Sequence, residues 1–109
     1  MEYKVNLTEE AINYILSLPN KMQAKIHRTI NLLKELGYLL PQPHSKKIKG
    51  NKELYELRIK CGSDISRMFY FFWKENIYFI TSGYTKKTKK LDKKEIKKAE
   101  EIMKNIKEG

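Results

Sequence analysis

The spacing of apolar residues changes three times along the chain, and each change marks a new element. Tyr3, Val5 and Leu7 alternate with polar neighbours, the period of a strand with one buried face. Thr8, followed by Glu9 and Glu10, has the form of a helix N-cap with acids at the positive end of the dipole, and predicts a short helix over about 9 to 18. Pro19-Asn20 breaks it. Asn20 with Gln23 three positions on has the form of a capping box, and Met22, Ile26, Ile30, Leu33 and Leu36 recur at helical spacing up to Gly37, which is placed to end the second helix at positive φ. The two helices form a hairpin.

Residues 38–50, with Pro41, Pro43 and Gly50 and no sustained period, read as a long connecting loop. The period then returns to two. Tyr55, Leu57 and Ile59 lie on one face of a strand over Leu54 to Lys60, and Glu56, Arg58 and Lys60 lie on the other. Cys61 to Asp64 makes a turn into an aromatic strand, Ser66 to Lys74, and Glu75-Asn76 reverses the chain into Ile77 to Thr81. Asp92, with Glu95 three residues on, opens a last helix whose apolar stripe is Ile96, Ala99, Ile102, Met103 and Ile106. That stripe is narrow enough to dock one face only. The order is βααβββα. It predicts an α+β fold in which an N-terminal helical hairpin packs on a small antiparallel sheet and a C-terminal helix follows.

Composition narrows the function. At 109 residues and 40% hydrophobic content the chain supplies one core, so residues 1–109 are expected to form a single domain. The formal charge of +10, from 23 basic and 13 acidic residues, favours nucleic acid or an acidic protein as partner. Cys61 is the only cysteine, which rules out an internal disulfide or a cysteine cluster for metal within one chain. The N-terminus lacks the pattern of a secretory signal and the longest apolar run, Met68 to Trp73, is far too short to span a membrane, so a cytoplasmic location without membrane contact is expected.

Arg58 and Arg67 fall on consecutive strands joined by a short turn, so cross-strand pairing can bring both guanidiniums to one face. Lys86 and Lys87 follow the third strand. Two arginines and two lysines suit an RNA phosphate, Arg as a planar fork and Lys as a mobile point charge. By pattern alone, ordinary solvated surface cations account for them more simply. Lys46, Lys47 and Lys49, before the meander, and Lys89 after it either extend the positive surface along RNA or are solvated loop cations. Glu56 shares parity with Arg58. It either accepts a proton or, because a carboxylate beside arginines is a poor base, holds them in place by ion pairing. Tyr84, near the strand end, is a candidate for proton transfer or base stacking, whereas Tyr70 has the parity of a core residue. His27 and His44 both precede the strand-rich half, which disfavours a paired-histidine mechanism.

The blocks Glu53-Leu54-Tyr55-Glu56-Leu57-Arg58, Arg67-Met68-Phe69-Tyr70-Phe71, Gly83-Tyr84-Thr85-Lys86-Lys87-Thr88 and Glu95-Ile96 with Ala99 occur in order over about residues 20 to 107. Together they resemble the phage-derived, HigB-like branch of the RelE/ParE toxin superfamily. Tyr84 stands where that family more often has Phe, and Leu91 where Pro commonly precedes the last helix. The resemblance implies a toxin of a type II toxin-antitoxin pair. Its expected activity is metal-independent, cofactor-free endoribonuclease cleavage of mRNA on the ribosome, with Arg58, Arg67, Lys86, Lys87 and Tyr84 as catalytic candidates. Arg67 would grip the scissile phosphate and Arg58 the same or the adjacent one. The implied partners are mRNA, the ribosome and a small, partly acidic antitoxin in a hetero-oligomer. Two alternatives keep other features: a ParE-like toxin that binds gyrase without cutting RNA, and a noncatalytic nucleic-acid-binding module.

Overall fold

A computed structural model describes residues 2–86 and 90–109. The elements run β1 (Lys4–Leu7), α1 (Glu9–Leu16), α2 (Asn20–Leu36), a 3-10 turn (Gly37–Leu39), β2 (Ser45–Lys47), β3 (Tyr55–Cys61), β4 (Asp64–Phe72), β5 (Ile77–Lys86) and α3 (Lys93–Glu108). The five strands form one sheet in the order β1-β5-β4-β3-β2. The α+β class, the helical hairpin and the closing helix are as expected from the sequence. Three features differ, the first being that β5, expected to end at Thr81, runs on to Lys86 and includes it. Ser45 to Lys47, read as loop, pairs with Leu57 to Tyr55 as an extra antiparallel strand, and β1 pairs with β5 in parallel, so the sheet is mixed.

The helix starts show where local signals hold. Thr8 caps α1, its hydroxyl accepting from the Ala11 N–H at 3.1 Å, and Asp92 caps α3 by accepting from the Lys94 N–H at 2.9 Å. The capping box expected at Asn20 and Gln23 does not form. Pro19 takes the cap position, and the Gln23 amide turns back to donate to the Leu18 carbonyl at 2.8 Å. Gly37 ends α2 at φ +53, where a Cβ would collide with the Tyr3 ring. Both meander turns use residues at positive φ: Gly62 in the first, and Glu75 with Asn76 in the second, closed by the Ile77 N–H on the Lys74 carbonyl at 2.9 Å.

The sheet is covered on both faces. Leu57, Ile59, Met68, Tyr70 and Ile80 pack against Ala11, Ile15, Ile26 and Leu33 of the hairpin. Phe69, Phe71, Ile48 and Leu54 pack on the other side against Ala99 and Met103 of α3, as the narrow stripe requires. A bulge supplies this second face from β5. Phe69 pairs with Ser82 and Tyr70 with Ile80, leaving Thr81 as an extra residue that reverses the strand's parity. Thr8 clamps the bulge, its hydroxyl donating to the Thr81 carbonyl at 2.6 Å. Beyond it Gly83 leaves room for the Tyr14 ring of α1, whose hydroxyl bonds Ser66 at 2.7 Å and Thr85 at 2.6 Å. Burial, with the nearby Asp64 charge, raises the Tyr14 pKa, against the two hydroxyl contacts that lower it. Among the described residues no helix is long and apolar enough to cross a membrane.

Candidate nucleic-acid site

The α3 face of the sheet carries the cationic row. Arg58 on β3 lies directly opposite Arg67 on β4, and Arg67 lies opposite Tyr84 on β5, so all three side chains leave the sheet on the same side. Glu56, two residues before Arg58 and therefore on that face, ties the row together. Its Oε1 accepts from Arg67 Nη1 and lies 3.2 Å from Arg58 Nε. One carboxylate serves two guanidiniums, so the triad keeps one net positive charge.

Burial separates the two arginines. The side chains of Glu56 and Arg67 are each 1% exposed, whereas that of Arg58 is 25% exposed. Direct grip of a phosphate by Arg67, as expected from the sequence, therefore does not fit this conformation. The guanidinium is occupied by Glu56 and closed off from solvent beneath the row, and Arg58 is the member that meets solvent. Taking the Glu56 carboxylate and the Arg67 guanidinium out of water is costly, and their pairing offsets that cost only while both remain.

Tyr84 stacks on Phe69, with ring centroids 6.0 Å apart, and its hydroxyl accepts from the Asp92 N–H at 3.0 Å. Burial raises its pKa most, the nearby carboxylates of Glu56 and Asp92 adding to the rise, against the lowering effects of the Asp92 backbone contact and the Arg67 charge. The phenol stays protonated at neutral pH and anchors the start of α3 to the cationic row. Lys86 is two residues further along the same face, partly exposed, with its Nζ 3.9 Å from Asp92 Oδ2. Lys87 and Lys89 lie outside the described residues.

The loop lysines divide. Lys46 pairs across to Glu56, so strand parity puts it on the α3 side at the edge of the sheet, where it is exposed and also borders the pocket of the opposite face. Lys47 pairs across to Tyr55 and belongs to the opposite face, at the rim of a pocket that also includes Tyr38 and Phe72. Lys49 is exposed in the connection to β3. Tyr70 is 3% exposed, hydrogen-bonded to Ser45, with its pKa pushed up to about 12 mainly by burial. Among the described residues no group of three or more His, Cys, Asp or Glu is placed to hold a metal ion.

Four cationic or imidazole groups were missed by sequence reasoning. Lys25 and Arg28 on α2, His44 before β2 and Lys60 on β3 surround a groove at the open edge of β3, next to Arg58. No local signal joins a helix surface to a strand end so far along the chain; only the packing of α2 on β3 does.

The family model described as phage-derived protein Gp49-like (DUF891) matches residues 13–104. No curated protein matches the chain. Among solved structures, an arginine-to-alanine double mutant of the E. coli toxin RelE in the free state is similar at 16% identity, with a TM-score of 0.66 over 97% of this chain and 99% of that one. The archaeal RelE–RelB complex from Pyrococcus horikoshii OT3 matches at 18% identity and TM-score 0.57, over 83% of this chain and all of that one. The intact E. coli RelBE toxin-antitoxin complex matches at 16% identity and TM-score 0.58, over 81% of this chain and 99% of that one. At these identities the likeness is one of fold.

Proposed function

The chain belongs to the phage-derived Gp49-like family, and we propose that it is a toxin of the HigB-like branch of the RelE/ParE superfamily, an endoribonuclease that cuts mRNA on the ribosome in the cytoplasm. The observation that carries this reading is the buried Glu56 carboxylate holding Arg58 and Arg67 side by side, with net positive charge, on a face continued by Lys86 and Lys46. The RelE relatives, two of them in complexes with antitoxins, give it a biological frame.

In the proposed reaction the ribose 2′-oxygen attacks the neighbouring phosphorus. A 2′-O–P bond forms as the P–O5′ bond breaks, giving a 2′,3′-cyclic phosphate and a 5′-hydroxyl; the 2′ proton is lost to solvent and the 5′-oxygen takes up another. This chemistry needs no metal and no cofactor. Arg58, the accessible member of the row, meets the phosphate as negative charge grows on it. Arg67 is a positioning residue: its buried charge fixes Glu56, and Glu56 fixes the Arg58 fork. Lys86, with Lys87, steadies the strand, and Tyr84, held protonated, serves as a hydrogen-bond donor to the RNA and not as a base. Glu56 is engaged by both guanidiniums and serves as a strut instead of a base. The matching partner is a small, partly acidic antitoxin in a hetero-oligomer with this chain.

Induced expression of wild type beside Arg58→Ala and Arg67→Ala, reading growth and mRNA 5′ ends, tests the proposal. Loss of one such donor costs about 10²–10³-fold in rate, so Arg58→Ala is expected to abolish new RNA ends and restore growth while the folded circular dichroism spectrum persists. Intact messages with gyrase-dependent DNA breaks would assign the toxin to the gyrase-binding class, and neither effect would leave only a binding module.

A further inference from the structure

The triad accounts for one phosphate, yet an RNA strand that presents a linkage to Arg58 must continue past it. β2 pairs only with Tyr55 to Leu57, so from Arg58 onward β3 forms the edge of the sheet, its Arg58 N–H closing on the His44 carbonyl at 2.9 Å. Beside that edge α2 and the Pro43-His44 segment enclose a groove of about 500 Å³. Its walls are apolar, from Leu32, Pro43, Ile59 and Ile65. Cations stand around them: Arg28, exposed on α2; Lys25, whose Nζ donates to the Lys60 carbonyl at 3.3 Å; Lys60; and Arg58 itself, shared with the triad.

Apolar walls with a few fixed charges suit a ligand with a flat, weakly polar body and an anionic end, the chemistry of a nucleotide. We infer that this groove holds an unpaired nucleotide flanking the cleaved linkage, its base against Leu32 and Pro43 and its phosphate met by Lys25 and Arg28. The assignment rests on the ribonuclease reading for the identity of the strand, but its geometry is independent of cleavage. Arg58 is the hinge of the arrangement: it reaches the linkage on the α3 face and lines the groove at the sheet edge. The groove also explains why two α2 cations face the sheet edge at this end of the helix.

The test uses binding of an RNA that cannot react. A fluorescein-labelled oligoribonucleotide with 2′-O-methyl groups on every ribose is titrated with the whole protein at several salt concentrations, for wild type and for Lys25→Ala/Arg28→Glu. Both substituted positions lie outside the buried core, and equal thermal midpoints establish that the fold is retained. The double variant is expected to raise Kd at least tenfold at low salt and to flatten the slope of log K against log salt by about 0.7, the value for one single-strand phosphate that is no longer neutralised. A 4-thiouracil base beside the linkage is expected to photocrosslink to α2 or to the Pro43-His44 segment. Unchanged affinity and slope in the variant overturn the proposal and leave the groove to an acidic polypeptide; so does an absence of wild-type binding at low salt. Loss of cleavage in Arg58→Ala together with unchanged binding in the groove variant defeats the groove alone. Groove-dependent binding without any RNA cleavage defeats the nuclease reading alone.

Discussion

Glu56→Gln isolates the interaction on which the cationic row depends. The substitution keeps the shape of the side chain and one acceptor oxygen but removes the charge that faces two guanidiniums. Arg58, a quarter exposed, recovers water, whereas Arg67, 1% exposed, keeps its charge in a poorly solvated site. Removing one member of a buried ion pair costs about 3–5 kcal/mol, against a total stability of about 5–15 kcal/mol for a domain. The expected consequence is a fall in Tm of more than about 10 °C for a chain of this size. Urea unfolding is readable from the single tryptophan, Trp73, half-buried against Phe71 with its ring centroid 6.5 Å away. The midpoint should drop with the m-value unchanged. Glu56→Gln/Arg67→Met should recover most of the loss, because an apolar side chain of similar length needs no counter-charge there. A loss below about 1 kcal/mol for Glu56→Gln, the scale of a surface pair, would refute the claim that this carboxylate holds a desolvated pair.

The other expectations concern the scaffold. Gly83→Ala places a Cβ 2.6 Å from the Tyr14 ring and 3.0 Å from Met68 Cγ; overpacking of this kind costs about 1–3 kcal/mol, and thermal melts should show Tyr14→Ala suppressing part of that cost if the collision is its cause. Alkaline stability should fall once the unfolded chain begins to lose phenolic protons near pH 10, since the fold holds Tyr70 and Tyr78 protonated up to about 12. In that window the unfolded state binds fewer protons, so stability is complete below it and declines as pH rises through it. Tyr70→Phe should make the decline of the urea midpoint shallower; an unchanged slope would show that Tyr70 contributes nothing to it.

Much of the row was legible because strand parity and a short turn are local facts. Arg58, Glu56 and Arg67 needed only alternation and a hairpin to be placed together, and Tyr70 was assigned to the core by the same rule. What escaped was set by distant partners. Ser45 to Lys47 has no strand pattern of its own; it is extended because β3 offers an unpaired edge. The parallel pairing of β1 joins residues more than 70 apart and follows from the helical hairpin crossing between them. Pro19 takes the cap position expected of Asn20, since its fixed φ suits the helix entry. The burial of Arg67 was also invisible, because parity names a face and does not say what lies above it. Here the row shares the face on which α3 docks, with Tyr84 tied to the start of that helix.

The bulge at Thr81 shows how closely that face depends on one residue. Phe79 pairs with Phe71 and stacks on it at 5.9 Å on the α3 side of the sheet, while Tyr84 pairs with Arg67 on the same side. Phe79 and Tyr84 are an odd number of positions apart, and regular alternation would send them to opposite faces. The same sequence paired without a bulge would keep Phe79 in the α3 core only by turning Tyr84 and Lys86 toward the hairpin, and would put Gly83 and Thr85 beside Arg67. Thr81 resolves the conflict: it is fully buried, it donates to the Phe69 carbonyl at 3.4 Å, and its own carbonyl is held by Thr8. The hydroxyl that starts α1 therefore also sets the parity of the strand that completes the cationic face. Fold and site are coupled through that contact, so changes at Thr8 bear on the orientation of Tyr84 and Lys86 as well as on the helix it caps.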